Sequence, residues 1–410
     1  MPISIRTASS GPDREHVVVR LWRWIVCLMP GLLSAGEWSG YAELQGRYFP
    51  QDAAYENQSD HLISLAFQPE YYQRWDNGNQ SLLVVPFFRW DSEDEERTHA
   101  DIRELIWTYA GNRWEAQAGV GKVFWGVTEA LHLVDTINQT DLVENPDGEQ
   151  KLGQPLIKLS LERDWGILDF YTLIGFRERT FPGDEGRLRS NPPVDQDYAE
   201  YESDREERHL DFALRWSHYI GDWDIGLAHF NGTSRDPLFI PRFGNRGEIR
   251  LIPFYEQMHQ TSLDLQATKG DWLWKLEAIH RSIDSGSYNA ATGGFEYTLV
   301  GIADTDMDLG LLGEYLYDDR GDEATTPFQN DLFVGFRLTA NDVDGSELLA
   351  GVIKDMDESS WMFNLEASRR IGSDWKTSAQ IRVWSDIAEQ DPLYSMRRDD
   401  YAELTLTRFF

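Results

Sequence analysis

Hydrophobic and polar residues alternate along most of the chain after residue 36. Period-two alternation is the signature of a β-strand whose two faces meet different surroundings. We count eighteen such segments, with sixteen as the alternative, and infer an all-β chain. Their approximate spans are 37–49, 61–75, 80–91, 98–111, 113–126, 155–164, 166–180, 208–220, 222–234, 258–269, 272–284, 294–304, 307–318, 330–341, 346–356, 360–371, 375–387 and 399–410.

The connections between these segments alternate between short and long. Short ones are expected at 76–79, 111–112, 165, 221, 270–271, 305–306, 342–345 and 372–374, and long ones at 50–60, 92–97, 127–154, 181–207, 235–257, 285–293, 319–329 and 388–398. Only the connection at 357–359 is short at a place where the alternation predicts a long one. Short periplasmic turns opposite long outer loops are typical of a single antiparallel transmembrane β-barrel. A soluble sandwich or propeller does not predict this parity.

Several of the short turns place a Trp at the start of the outgoing strand. Each of these turns contains Gly or Asp, and the Trp residues are Trp114, Trp165, Trp223, Trp272 and Trp375. Amphipathic rings at headgroup depth form the aromatic belt of a membrane barrel. The sequence therefore predicts that the short turns lie at one membrane interface.

The charged face of each strand is expected to point into the barrel, because a Lys or Arg facing lipid at the midplane costs about 2–4 kcal/mol. Both signs of charge occur on this face, which predicts a wet interior with ion pairs between strands. Mutual neutralisation and a role in transport are both compatible with the pattern. The expected pore-lining residues are Glu115, Asp211, Arg215, Lys275, Glu277, Arg281, Arg337, Glu366, Lys376, Arg382 and Glu403.

Two stretches carry a family resemblance. The last ten residues, YAELTLTRFF, resemble the closing strand of bacterial outer-membrane barrels, which typically ends in Phe, although Arg408 departs from that pattern. The strand end at Trp125-Gly126, followed by a loop rich in Asn and Asp, is similar to porin-like outer-membrane barrels of Gram-negative bacteria with unassigned substrates. The resemblance implies a location in the outer membrane, contact with its lipid, and the barrel-assembly machinery as a partner of the last strand.

The start of the chain predicts a cleaved signal peptide over 1–36, which leaves 37–410 as one barrel domain. Arg20 and Arg23 precede an apolar stretch, and small residues follow at 34–36. This order of charged, apolar and small residues is that of a secretion signal. The region before Arg20 is unusually long and carries Asp13 and Glu15, and it leaves the position of the true start codon open. Cys27, the only cysteine, falls in the removed part.

The length and composition of the connection 127–154 predict that this segment carries function. A loop this long is usually functional or disordered, and its apolar residues argue against disorder. In general porins the loop at this position folds into the lumen, so the resemblance implies the same here. The expected constriction residues are Glu129, Asp135, Asp141 and Glu144. A cap over the outer rim is the alternative.

Composition and motifs exclude several kinds of chemistry. The net charge of −32 argues against a nucleic-acid partner. We find no catalytic motif and no metal-binding spacing of His, so we expect no catalytic residue, metal or cofactor. The sequence leaves three hypotheses open. The first is a channel for diffusion or selective uptake of small hydrophilic solutes, the second a plugged barrel that binds or exports an apolar or lipid-like molecule with periplasmic partners, and the third an outer-membrane enzyme.

Overall fold

The computed structural model describes residues 36–244 and 247–410, so the predicted signal peptide lies outside the described residues except for Gly36. The strands are β1 (Glu37–Tyr48), β2 (His61–Trp75), β3 (Gln80–Asp91), β4 (His99–Gly111), β5 (Trp114–Gly121), β6 (Gln154–Arg163), β7 (Gly166–Ile174), β8 (Glu200–Tyr201), β9 (Leu210–Ile220), β10 (Trp223–Thr233), β11 (Leu238–Phe243), β12 (Ile249–Tyr255), β13 (Gln257–Lys269), β14 (Trp272–Ile283), β15 (Gly286–Leu299), β16 (Asp308–Asp318), β17 (Asn330–Thr339), β18 (Glu347–Asp355), β19 (Trp361–Ile371), β20 (Trp375–Ser385) and β21 (Tyr401–Phe409).

Helical structure in the described residues is limited to short 3₁₀ turns in connections. They are Asp76–Gly78, Gln196–Tyr198, Glu206–Arg208, Ile302–Asp304, Gly321–Glu323 and Pro392–Met396. Within the described ranges, no helix is long and apolar enough to cross a bilayer.

Eighteen antiparallel strands form one closed barrel, which confirms the predicted fold class and strand count. The first and last strands close it, with Tyr41 opposite Phe409 and Tyr48 opposite Ala402. Closure leaves the barrel without a free edge. The remaining strands, β8, β11 and β12, form a small separate sheet within two long connections.

Side chains alternate between the two surfaces of the wall. In β14, Trp272 and Trp274 are 38% and 44% exposed on the outer surface, whereas Glu277 on the inner surface is fully buried. The last strand follows the same rule, with Leu404 exposed and Thr405 buried. The outer surface is therefore apolar and the inner surface polar, as a barrel in lipid requires.

The short turns have the backbone geometry that their glycines allow. Gly221, Gly270 and Gly372 adopt φ of 62°, 63° and 67°, which is the left-handed region. Tight hairpin turns need such angles, and glycine adopts them at little cost. The Trp that follows each of these turns is exposed at the outer surface, where Trp272 stacks on Trp274 at 5.3 Å between ring centroids.

The largest departure from the sequence prediction lies in β15. Residues 285–293 were expected to form a long loop, but β15 begins at Gly286 and pairs with β14 after a two-residue turn. The small and polar side chains of this segment give a weak alternation, yet its backbone pairs with neighbours on both sides. The following turn accordingly spans 300–307, instead of the two residues 305–306 that were expected.

Two strands end earlier than predicted because the chain leaves the wall. β5 ends at Gly121, after which Asn138 accepts a hydrogen bond from the Val123 amide and donates one to the Gly121 carbonyl. β7 ends at Ile174, and Phe176 then packs against Tyr201 and Tyr255 of the small sheet. These tertiary contacts replace the ladder hydrogen bonds of a continued strand.

Candidate functional site

The connection from Lys122 to Gly153, which we call the lumen loop, contacts the inner surface of strands from several sides of the barrel. Its polar partners include Arg89 on β3, Glu277 on β14, Glu314 on β16 and Arg382 on β20. Since these strands lie far apart around the closed sheet, a segment that contacts all of them crosses the interior.

The first part of the loop is attached through its backbone amides. Glu277 accepts hydrogen bonds from the amides of Val127 (2.7 Å), Thr128 (3.1 Å) and Val134 (3.2 Å), and from the Thr128 hydroxyl at 2.8 Å. Glu314 accepts from the amides of Glu129 and Ala130, each at 2.8 Å. Hydrogen bonds from backbone N–H groups to an ionised carboxylate are stronger than neutral ones.

The later part of the loop is attached through its own carboxylates. Arg89 donates from Nε to both oxygens of Glu144 at 2.9–3.0 Å. Arg103 donates to Asp141 at 2.6 Å, and Arg97 donates to the Val143 carbonyl at 2.8 Å. Burial raises the pKa of Glu144, but the charge of Arg89 and its neighbouring guanidinium groups outweighs it and holds that pKa below its usual value.

Apolar side chains of the loop pack on apolar patches of the inner wall. Trp125, Val134 and Ile137 belong to a cluster with Phe230 and Tyr288 of the wall. Ala130 and Leu131 pack against a second cluster that contains Leu312, Leu316 and Phe333. The lumen loop therefore fills part of the interior as a packed element, and it is not a solvated, extended segment.

The four predicted constriction residues lie in different surroundings. Glu129 pairs with Arg337 at 2.7 Å and lies 3.7 Å from Lys275, and its side chain is 21% exposed. Asp135 lies 3.4 Å from Lys151, and burial raises its pKa. Asp135, Asp141 and Glu144 have side chains exposed by 1%, 0% and 7%. The structure thus brings Glu129 to an accessible surface and uses the other three as buried anchors.

Most of the predicted pore-lining residues are ion-paired. Glu277, Lys275 and Arg337 contact the lumen loop as described. Four others pair with charged residues that the sequence analysis did not select, namely Asp211 with Arg235 (2.9 Å), Arg215 with Asp264 (2.6 Å), Arg281 with Asp236 (2.8 Å) and Glu403 with Arg47 (2.6 Å).

The remaining four predicted pore-lining residues lie in different surroundings. Arg382 contacts Asp147 of the loop at 2.8 Å and Glu366 at 3.7 Å. Glu115 accepts a hydrogen bond from Gln117. Lys376 is half-buried and has no ion-pair partner among the described residues.

Sequence reasoning missed the arginines of the first strands, although a signal was present. Phe87, Arg89 and Asp91 alternate with Phe88 and Trp90 on β3, so the same rule that selected Arg382 would have selected Arg89. The aromatic residues of β3 made its polar face hard to recognise in the sequence. Arg97 gave no such signal, because it lies in a connection and only the fold brings it to Glu144.

His132 joins the loop to the wall through charge. Its Nε2 lies 3.3 Å from Glu149 of the loop, and its Nδ1 lies 3.6 Å from Glu277 on β14. Burial disfavours the charged ring, but the two carboxylates outweigh burial and raise the pKa of His132 to about 10. His132 is therefore an imidazolium at neutral pH.

One group of side chains in the described residues has the composition of a metal site. Ligand atoms of His99, Asp141 and Glu144 lie within 4.8 Å of one another. However, Arg103 pairs with Asp141 and Arg89 with Glu144, so guanidinium groups already neutralise both carboxylates. A cation would have to displace them, and we assign no metal here.

The barrel resembles solved porin structures. It superposes on Pseudomonas aeruginosa OccK11 (OpdR) with a TM-score of 0.52 and 12% identity, covering 92% of this chain and 95% of that chain. A triple mutant of the Rhodopseudomonas blastica porin gives a TM-score of 0.43 and 10% identity, covering 92% of this chain and all of that one. No protein-family model and no curated protein matches the chain. The chain has a porin-like barrel fold, and at these identities the likeness concerns the fold alone.

Proposed function

We propose that this protein is an outer-membrane channel through which small hydrophilic solutes diffuse or are taken up, along a passage between the lumen loop and the inner wall of β17–β20. The observation that most supports this is the accessibility of charged side chains on that side. The side chains of Glu149, Glu366 and Arg337 are 51%, 44% and 33% exposed, in contrast to the buried pairs elsewhere inside the barrel.

The distribution of loop contacts gives the passage its position. In the described part of the chain, no hydrogen bond or ion pair joins the lumen loop to β18 or β19, the two strands between β17 and β20. Contacts to β17 and β20 exist at Arg337 and Arg382 and form the two flanks. Eighteen-stranded barrels are wide enough to leave an aqueous passage even when a loop occupies part of the lumen.

The outer wall supports a location in the outer membrane with lipid around the barrel. Large apolar side chains such as Leu65, Trp90, Val334 and Leu404 are 50%, 51%, 55% and 61% exposed on it. Exposing so much apolar surface to water is unfavourable, and a bilayer removes this cost. We further propose that the last strand, which pairs with β1 and β20, is the segment that the barrel-assembly machinery binds.

The channel proposal is tested by single-channel recording of the refolded protein in a planar bilayer. We expect discrete conductance steps, and we expect deletion of residues 130–150 to enlarge them because the loop then no longer fills the lumen. Shortening the outer connection at 321–326 is the control, since among the described residues this segment makes no hydrogen bond or ion pair with the lumen loop and should leave the steps unchanged.

The result that would reject the channel is an absence of conductance from protein that still shows heat-dependent mobility on a denaturing gel. Equal conductance with and without residues 130–150 would instead reject the loop as the narrowing element. The export and enzyme hypotheses stay predictions, since the structure offers no specific observation in favour of either.

A further inference from the structure

Basic side chains inside the barrel are neutralised by buried partners. The side chains of Arg47, Arg89, Arg97 and Arg103 are only 4–5% exposed, and each has a carboxylate oxygen within 2.6–2.9 Å. A guanidinium paired so closely presents little net charge to an ion that passes at a distance. These four residues therefore contribute little positive potential to the lumen.

The carboxylates along the proposed passage are less completely neutralised. Glu149 and Glu366 are about half exposed, and each shares one cation with a second carboxylate. His132 lies between Glu149 and Glu277, at 3.3 and 3.6 Å, and Arg382 contacts both Asp147 and Glu366, at 2.8 and 3.7 Å. Arg337 is accessible too, but it lies within 3.6 Å of two carboxylates, Glu129 and Glu296. Lys376 is the one basic predicted pore-lining residue without an ion-pair partner among those described, and it lies beside the short turns.

The long-loop side of the barrel carries a cavity with the same sign of charge. Its volume is about 820 Å³, and the described residues that line it include nine carboxylates and two basic side chains. Both basic side chains are paired, Arg242 with Glu200 at 3.2 Å and Arg250 with Asp184 at 2.5 Å. Exposed carboxylates such as Glu95 and Glu185 have no partner of this kind, so the cavity is strongly negative.

We propose that the passage selects cationic over anionic solutes, with Glu149 and Glu366 setting the sign inside the lumen and the acidic cavity concentrating cations at the long-loop mouth. This inference rests on the channel proposed above and specifies its substrate class. Rings of carboxylates in a confined pore favour cations, and a cleft lined by one sign of charge raises the local concentration of the opposite one. The hydrogen bond from His132 lowers the pKa of Glu149 and keeps this carboxylate ionised at neutral pH.

The two elements should respond differently to salt. The Debye length is about 10 Å at 0.1 M and about 3 Å at 1 M ionic strength. The open cavity therefore loses its influence at high salt. Glu149 and Glu366 act at closer range on an ion in the narrow passage, so their effect should persist.

The test is the reversal potential of the refolded full barrel under a KCl gradient, measured at a mean of about 0.1 M and again near 1 M. We expect the permeability ratio of K⁺ to Cl⁻ to exceed one. The variant Glu149→Gln/Glu366→Gln should lower this ratio by roughly twofold at both concentrations. The variant Glu95→Gln/Glu185→Gln should lower it only at the lower concentration. As a matched control, Asp322→Asn/Glu323→Gln removes the same charge from exposed residues of another outer connection and should change nothing.

Each outcome has one meaning. Absence of conductance overturns the channel itself, whereas conductance with a ratio at or below one overturns only the cation preference. If all three variants lower the ratio equally, overall net charge sets the preference and the assigned residues are wrong. Because Glu149 also contacts His132, the single variant Glu366→Gln, which leaves that contact intact, must lower the ratio by itself.

Discussion

The two parts of the lumen loop are held by opposite chemistry. Near β14 and β16, wall carboxylates of Glu277 and Glu314 accept hydrogen bonds from loop amides. Near β3 and β4, wall guanidinium groups of Arg89 and Arg103 bind loop carboxylates. In the first region the loop contributes its backbone, which every sequence has, and in the second it contributes specific side chains.

This difference predicts how each attachment fails. Removing a buried partner of an ion pair leaves an uncompensated charge, whereas weakening an acceptor of amide hydrogen bonds leaves neutral donors that incoming water can satisfy. The β3–β4 side should therefore be the more sensitive to substitution. Its loop residues should also be the more restricted in identity.

The largest effect is expected for Arg89→Met, which removes the guanidinium that lies 2.9 Å from Glu144 and 3.2 Å from Glu43. Breaking such a buried pair costs about 3–5 kcal/mol. The free energy of unfolding in detergent, from urea titration, measures this. The double variant Arg89→Met/Glu144→Gln should recover part of the lost free energy of unfolding, because it removes one of the two carboxylate charges that Arg89 neutralised. No recovery would mean that Arg89 acts mainly through packing or through Glu43.

A smaller effect is expected for Glu277→Gln. The amide retains one carbonyl oxygen for the loop N–H groups but loses its charge and its interaction with His132, at a cost of about 1–3 kcal/mol. The same titration measures it, and the mean conductance should rise as the loop loosens. If Glu277→Gln destabilised the barrel more than Arg89→Met, the proposed contrast between the two attachments would be wrong.

The interaction of His132 with its two carboxylates should depend on pH. Its pKa is raised from an unfolded value of 6.5 to about 10, so its stabilisation is complete below pH 6.5 and is lost as the pH rises toward 10. Conductance noise from loop motion should accordingly increase between these values. His132→Gln should remove this pH dependence, and an unchanged profile in that variant would assign it to another group.

The smallest effect is expected for Lys376→Gln, which belongs to neither attachment. A half-buried side chain without an ion-pair partner should change the free energy of unfolding by no more than about 0.5 kcal/mol. It serves as the reference for the other three. A change as large as that of Glu277→Gln would show that the residue has an undetected partner.

The sequence by itself determined the barrel wall. Successive side chains of a strand point alternately toward lipid and toward the interior, and this contrast gives the sequence a period of two. It identified the strand count, the turns with their Trp residues, and the unusual length of 127–154. It failed at 285–293, where small residues such as Ala290 and Gly293 carry little contrast between the faces, although their backbone pairs on both sides.

Only the tertiary structure decided what the charged residues do. Asp141 and Glu144 look like solvated loop carboxylates, yet they are buried because β3 and β4 supply arginines from 38 and 55 residues away in the chain. Glu277 and Glu366 occupy equivalent inward positions in their strands, but one is buried under the lumen loop and the other borders the proposed passage. Partners far apart in sequence determine whether a carboxylate is an anchor or an accessible charge, and alternation along one strand carries no information about them.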